Sequence, residues 1–167
     1  MTALPFGAAT VCGVDAPSSF EFVLFPGRHH IWTRFQPRYL RRLLAGEESS
    51  LSGGKLRFSP SAQVVVAVTS SDHDTTRRNP IPYARREAIA TAVGLAHDLP
   101  LLVYPVPDTR PTDRFASYTL ATVSAALGRE LTPENTVVAC STPRGDRLVP
   151  AAGFRDRPGG TARLRRR

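Results

Sequence analysis

Apolar runs of strand length alternate with stretches of helical period along most of this chain. Phe20-Glu21-Phe22-Val23-Leu24-Phe25 is a short apolar run that ends at Pro26-Gly27, the pattern of a buried strand running into a glycine turn. From Phe35 to Leu44, the residues Phe35, Tyr39, Leu40, Leu43 and Leu44 recur at helical spacing with arginines between them, which predicts an amphipathic helix. Gln63 to Val68 is β-branched and apolar on both faces, as in a strand covered from both sides. A helix is predicted from about Pro82 to His97, with Pro82 suited to its first turn. A strand follows over Leu101–Val106, a helix over Asp113–Leu127 closed by Gly128, and a strand over Thr136–Cys140. A short helix around Asp146–Ala152 and a Pro/Gly-rich tail complete the reading.

The segments between these elements are polar. Residues 1–17 form a loose lead-in punctuated by Pro5, Gly7, Gly13 and Pro17, and residues 47–60 a Ser/Gly-rich surface loop. The expected organisation is the lead-in, one domain over residues 18–156, and a basic tail over residues 157–167. Strand–helix alternation of this kind has one dominant solution, a Rossmann-like α/β fold: a parallel sheet with helices on both faces and ligands at the carboxyl ends of the strands. The polar loops after the first, second and fourth strands are therefore expected to share one rim.

Composition narrows the function classes modestly. With 167 residues the chain is long enough for one domain with a real core. No apolar run approaches the ~20 residues needed to span a bilayer, and no basic residue precedes the weakly apolar amino terminus. Cys12 and Cys140 lie far apart and outside metal-ligand spacing, which fits reduced thiols, a cytoplasmic protein and no structural metal. The formal charge of +8 is carried almost wholly by arginine, Lys55 being the only lysine. A basic surface attracts nucleic acid, membranes or phosphorylated small molecules by the same Coulomb force. The absence of interleaved aromatic and basic residues weighs against nucleic acid.

The candidate chemistry lies in the first two turns. Gly27 lets the backbone approach a phosphate, and the helix starting near Thr33 or Arg34 offers free N–H groups and a positive dipole end. Arg28, His29 and His30 stand where they could donate to phosphate oxygens, although a tight turn with two surface histidines is the plainer reading. Ser70, Ser71, Thr75 and Thr76 would line the same rim. Trp32 either stacks on a base or covers the turn as core, and Asp108 either orients a second substrate or caps its turn.

Ser70 to Arg86 (SSDHDTTRRNPIPYARR) resembles the signature of archaeal-type nicotinamide-mononucleotide adenylyltransferases, with Thr76, Asn79, Pro80 and Arg86 in register. Phe25-Pro26-Gly27-Arg28 is similar to that family's Gly-Arg opening, Tyr104–Asp108 to its Ile-Pro-Asp segment, and Ser141–Phe154 to its fourth-strand turn. The resemblance covers roughly residues 20–155 and departs at two places. Thr33, Arg34, Phe35 and Gln36 stand where the nucleotidylyltransferase superfamily has His-x-Gly-His, and the carboxyl-terminal Ser-x-Thr-x-x-Arg motif survives only as Thr161 with Arg163 or Arg165.

The resemblance implies transfer of a nucleotidyl group from a nucleoside triphosphate, ATP in the family, to a small phosphorylated acceptor such as nicotinamide mononucleotide, with release of pyrophosphate. It implies Mg²⁺ carried by the nucleotide without a dedicated protein cage. Arg28, His29, His30, Thr33 and Gln36 would be the catalytic group. Gly27, Ser70, Ser71, Thr76, Arg86, Ser141, Thr161 and Arg165 would contact the nucleotide, and Asn79, Asp108 and Trp32 the acceptor. The altered positions leave a second expectation, a relative that binds a nucleotide as a sensor or partner subunit without turnover. Whether the chain forms a homo-oligomer stays open.

Overall fold

The computed structural model describes residues 19–50, 54–109, 114–140 and 156–158. The elements run β1 (Phe20–Gly27), α1 (Phe35–Leu44), β2 (Phe58–Thr69), α2 (Tyr83–Ala96), β3 (Leu101–Val106), α3 (Phe115–Leu127), β4 (Thr136–Cys140) and β5 (Asp156–Pro158). The strands form one sheet in the order β3-β2-β1-β4-β5, and every neighbouring pair is parallel. This is a Rossmann-like α/β fold, as the alternation of elements predicts.

The apolar runs divide by the two-residue period of a strand. Val23 and Phe25 of β1, Val64, Val66 and Val68 of β2, and Val137 and Ala139 of β4 meet Tyr39, Leu40 and Leu43 of α1 on one face. Tyr83 of α2 and Leu99 just beyond its end pack on that face too. Phe22, Leu24, Val65, Ala67, Val106 and Val138 point the other way and meet Val123 of α3. Successive strands β1, β2 and β3 step in one direction and β4 steps back past β1. Right-handed crossovers then put α1 and α2 on one face and α3 on the other. In open sheets of this kind ligands bind at the carboxyl ends of the strands, near the reversal beside β1.

Two strands differ from expectation. β2 begins at Phe58, well before Gln63, so residues 58–60 belong to the sheet and not to the Ser/Gly-rich loop. Phe20 pairs with Phe58, and the register shifts before Phe22 pairs with Gln63. The irregularity accommodates Pro60, which lacks a ladder donor and stands exposed. β5 lies partly in the segment expected to be tail, and Asp156–Pro158 pairs with Val138–Cys140. Asp-Arg-Pro carries no apolar pattern, so its strand state comes from pairing at a sheet edge and leaves no periodic signal. The helix expected around Asp146–Ala152 lies outside the described residues.

The helix ends follow their local chemistry. α2 begins after Pro82, one residue later than expected. Gly128 closes α3 in the left-handed region at φ 69°, where glycine escapes the Cβ penalty. Leu40 and Leu43 are wholly buried beneath β1 and β2. Leu40→Ala should lower unfolding free energy by about 2–5 kcal/mol without changing the denaturant slope, as read by urea denaturation.

Candidate rim site at the carboxyl ends of the strands

Three loops meet beyond the carboxyl ends of β1, β2 and β3, and one arginine ties two of them together. Arg86, on the first turn of α2, has no solvent exposure. Its Nη1 donates to the carbonyls of Arg28 (3.1 Å) and Thr69 (2.9 Å), and its Nη2 donates to the carbonyl of Ser70 (2.9 Å). The Gly27-Arg28 turn and the Ser70 turn therefore lie side by side, held from below by a guanidinium. Burial first, and then the neighbouring Arg28 cation, push the pKa of Arg86 below its usual value. Arginine stays charged nonetheless, and three carbonyl dipoles take the place of a carboxylate among the described residues. The resemblance implies a phosphate contact for Arg86. With both Nη1 hydrogens and one Nη2 hydrogen on carbonyls, the second Nη2 hydrogen and the buried Nε, which has no hydrogen-bond partner among the described residues, are left for that contact.

The first turn is filled by its own side chains. His29 adopts a left-handed backbone at φ 52°, and its ring folds back over Gly27. A Cβ on Gly27 would stand 3.2 Å from His29 Cε1 and Nε2, so the glycine accommodates an imidazole rather than a bare phosphate approach. The ring packs 4.9 Å from Phe25 and stacks on Trp32 at 5.4 Å. Its Nε2 donates to the Phe25 carbonyl at 3.0 Å, since that oxygen can only accept. Burial depresses the His29 pKa to about 4; the Phe25 carbonyl opposes the shift, and Arg86 and His30 add to it. His29 is thus a neutral packing residue with its Nε2 hydrogen already used. Trp32 takes the core role left open by the sequence, packing against Phe25 and His29.

Beside this plug sit unpartnered ring nitrogens. His30 Nε2 and Trp32 Nε1 are buried without hydrogen-bond partners among the described residues. The His30 pKa is lowered by burial and by the Arg86 and Arg28 cations, which puts His30 in the field of both guanidiniums. Arg28 itself is exposed, its Nη1 3.4 Å from the Arg78 carbonyl. Thr33 and Gln36 cap α1: Gln36 Oε1 accepts from the Thr33 N–H at 2.6 Å and from its hydroxyl. This is half of a capping box, with the carboxamide oxygen committed to the helix end. Gln36 Nε2 lies 3.5 Å from the Ile31 carbonyl.

The second turn is knitted to the third. Ser70, in the left-handed region at φ 53° and buried, donates its hydroxyl to Asp108 Oδ1 at 2.7 Å. The Asp108 N–H donates to Asp72 Oδ1 at 2.7 Å, a bond that is the main reason the Asp72 carboxyl is held below its usual pKa. The Ser71 N–H reaches the Val106 carbonyl at 3.2 Å. Asp108 therefore anchors the turn. Thr76 and Asn79 exchange backbone hydrogen bonds at 3.1 Å, and the Thr76 hydroxyl accepts from the Asn79 N–H at 3.0 Å. The Asn79 side chain is buried, with its Oδ1 unpartnered among the described residues. Ser141, Thr161 and Arg165 lie outside the described residues.

Sequence reasoning passed over Asp72 and His73. His73 Nε2 lies 3.8 Å from Asp72 and 3.9 Å from Asp108, and together they form the acidic corner of the rim. The Asp-His-Asp run in the loop was the available signal. Among the described residues, no group of three His, Cys, Asp or Glu side chains could hold a metal ion, and no helix is long and apolar enough to cross a membrane. No family model matches the chain, and no curated protein matches it.

Chemically, the rim combines exposed cations, buried unpartnered ring nitrogens and one carboxylate corner. Among the described residues the Ser70 hydroxyl donates to a carboxylate and is not paired with a histidine base of the kind that activates a serine nucleophile.

Two measurements follow. Lysine at position 86 is a point charge that cannot span three carbonyls, so Arg86→Lys should lose at least about 2 kcal/mol of stability in urea unfolding. A loss under ~0.5 kcal/mol, the range of ordinary surface substitutions, would show that the rim does not depend on the clasp. His29 titrates near 4 when folded and near 6.5 when unfolded. Below pH 6.5 the unfolded chain binds the additional proton, so stability falls with pH toward 4 by up to ~1.4 kcal/mol per unit. His29→Phe should flatten that part of the curve; identical acid limbs would contradict the neutral, buried assignment.

Proposed function

We propose that this chain binds a nucleoside triphosphate at the carboxyl rim of β1 and β2 and transfers its nucleotidyl group to a small phosphorylated acceptor, releasing pyrophosphate. The observation that carries the reading is the convergence of the Gly27-Arg28 and Ser70 turns on the Arg86 guanidinium, beside the unpartnered ring nitrogens of His30 and Trp32. Anions bind where donors and cations are already fixed. The resemblance of Ser70–Arg86 to nicotinamide-mononucleotide adenylyltransferases supports ATP as donor and nicotinamide mononucleotide as acceptor.

In-line attack on an α-phosphorus needs no covalent intermediate, so positioning and charge stabilisation suffice. Arg28 and His30 would face the phosphates, with Arg86 setting the position of the Arg28 backbone. Mg²⁺ would ride on the phosphates, with most of its shell supplied by them and by water. Its chemistry there is charge neutralisation.

A second reading, nucleotide binding without turnover, is favoured by Gln36. In place of an imidazole it brings a carboxamide whose oxygen is spent on Thr33. Losing one strong donor costs ~10²–10³ in rate.

Pyrophosphate release with Mg·ATP and nicotinamide mononucleotide, alongside Mg·CTP and a panel of other phosphorylated acceptors, separates the two. Turnover that drops roughly 100-fold in Arg28→Ala is the expected result. Saturable Mg·ATP binding without pyrophosphate release would establish the second reading. No nucleotide binding at all would refute both.

A further inference from the structure

Helix α1 carries a line of residues one turn apart: Phe35, Tyr39 and Leu43. Leu43 and Tyr39 are buried in the core beneath the sheet. Phe35 continues the line toward the helix start, which in this topology lies at the carboxyl rim, and it passes beyond the cover of the strands. Its ring is 51 % exposed. It stacks on Tyr39 at 5.7 Å and 15°, so one face lies against a core side chain, and no other ring packs on it among the described residues.

A half-exposed aromatic residue becomes a candidate binding surface where apolar neighbours extend it into a patch. Ile31, at the same turn, is 72 % exposed. Arg34 and Arg38, adjacent in sequence and one turn on, are exposed and form no ion pair among the described residues. A flat apolar surface fringed by unpaired guanidiniums complements a ligand that has a planar ring at one end and anionic groups at the other.

We infer that Phe35 is the stacking platform for the base of the nucleotide, with Ile31 closing its edge and the phosphates running back toward Arg28. The inference rests on the nucleotide reading above and adds where the base lies and what recognises it. Stacking on an aromatic face tolerates any base, so Phe35 sets affinity for nucleotides as a class, leaving discrimination between bases to other groups.

Calorimetry with Mg·ATP and with magnesium tripolyphosphate, which lacks the base, tests the assignment. Phe35→Ala should weaken Mg·ATP roughly ten- to hundred-fold and leave tripolyphosphate unchanged. Phe35→Trp should restore Mg·ATP binding. Phe35→Leu, which keeps apolar cover over Tyr39 but has no flat ring, should remain weak, and thermal melts confirm that each variant is folded. Native-level Mg·ATP binding in Phe35→Ala, or equal losses for both ligands, would overturn the platform while leaving the nucleotide reading standing. Failure of the native protein to bind Mg·ATP would remove both.

Discussion

A buried guanidinium held by carbonyls, with no carboxylate in contact among the described residues, is the constraint on which the rim depends. Parallel strands end with carbonyl groups directed past the sheet, and three of them, from Arg28, Thr69 and Ser70, meet at Arg86 where β1 and β2 end. Arg86 answers all three from one planar group. Removing a charge of that kind from water is expensive unless its donors are satisfied. The two turns are therefore coupled: displacing either would strand donors of Arg86, and displacing Arg86 would remove the one group bonded to both.

That coupling explains the unusual backbone nearby. His29 and Ser70 both stand in the left-handed region, at φ 52° and 53°, a conformation that costs non-glycine residues something like 1–2 kcal/mol. Each is over-determined by its surroundings. His29 is wedged between Phe25 and Trp32 with its ring nitrogen on a carbonyl, and Ser70 is fixed by Arg86 on its carbonyl and Asp108 on its hydroxyl. Local strain of this sort persists only where packing and hydrogen bonds hold it, and such places tend to be binding sites.

The fold was legible from the chain because its signal is local. The runs at Phe20–Phe25, Gln63–Val68 and Leu101–Val106 are short and largely apolar, and each is a strand in the structure. What escaped was set by partners distant in sequence. Residues 58–60 join β2 because Phe20 pairs with Phe58, and Asp156–Pro158 is a strand because β4 lies alongside. The site followed the same division. That the Gly27 and Ser70 turns adjoin could be read from the order of elements. That Arg86 would point inward to carbonyls, or that His29 would lie on Gly27, could not, since a side chain's direction depends on which donors its neighbours leave open.

The same reasoning separates two kinds of residue at this rim. Arg86, His29, Ser70, Asp108, Thr33 and Gln36 have hydrogen-bonding atoms directed inward, and their effect on a ligand is through the shape they hold. Arg28, His30, Asn79 and Phe35 retain something unspent: an exposed cation, an orphan ring nitrogen, an orphan amide oxygen and a half-exposed aromatic ring. Each of these last would gain from contact with a molecule carrying phosphates, polar ring substituents and a flat base. Inward-directed groups give rigidity and unspent groups give affinity, so on the proposed nucleotide reading recognition would fall to residues around a frame that Arg86 keeps in register.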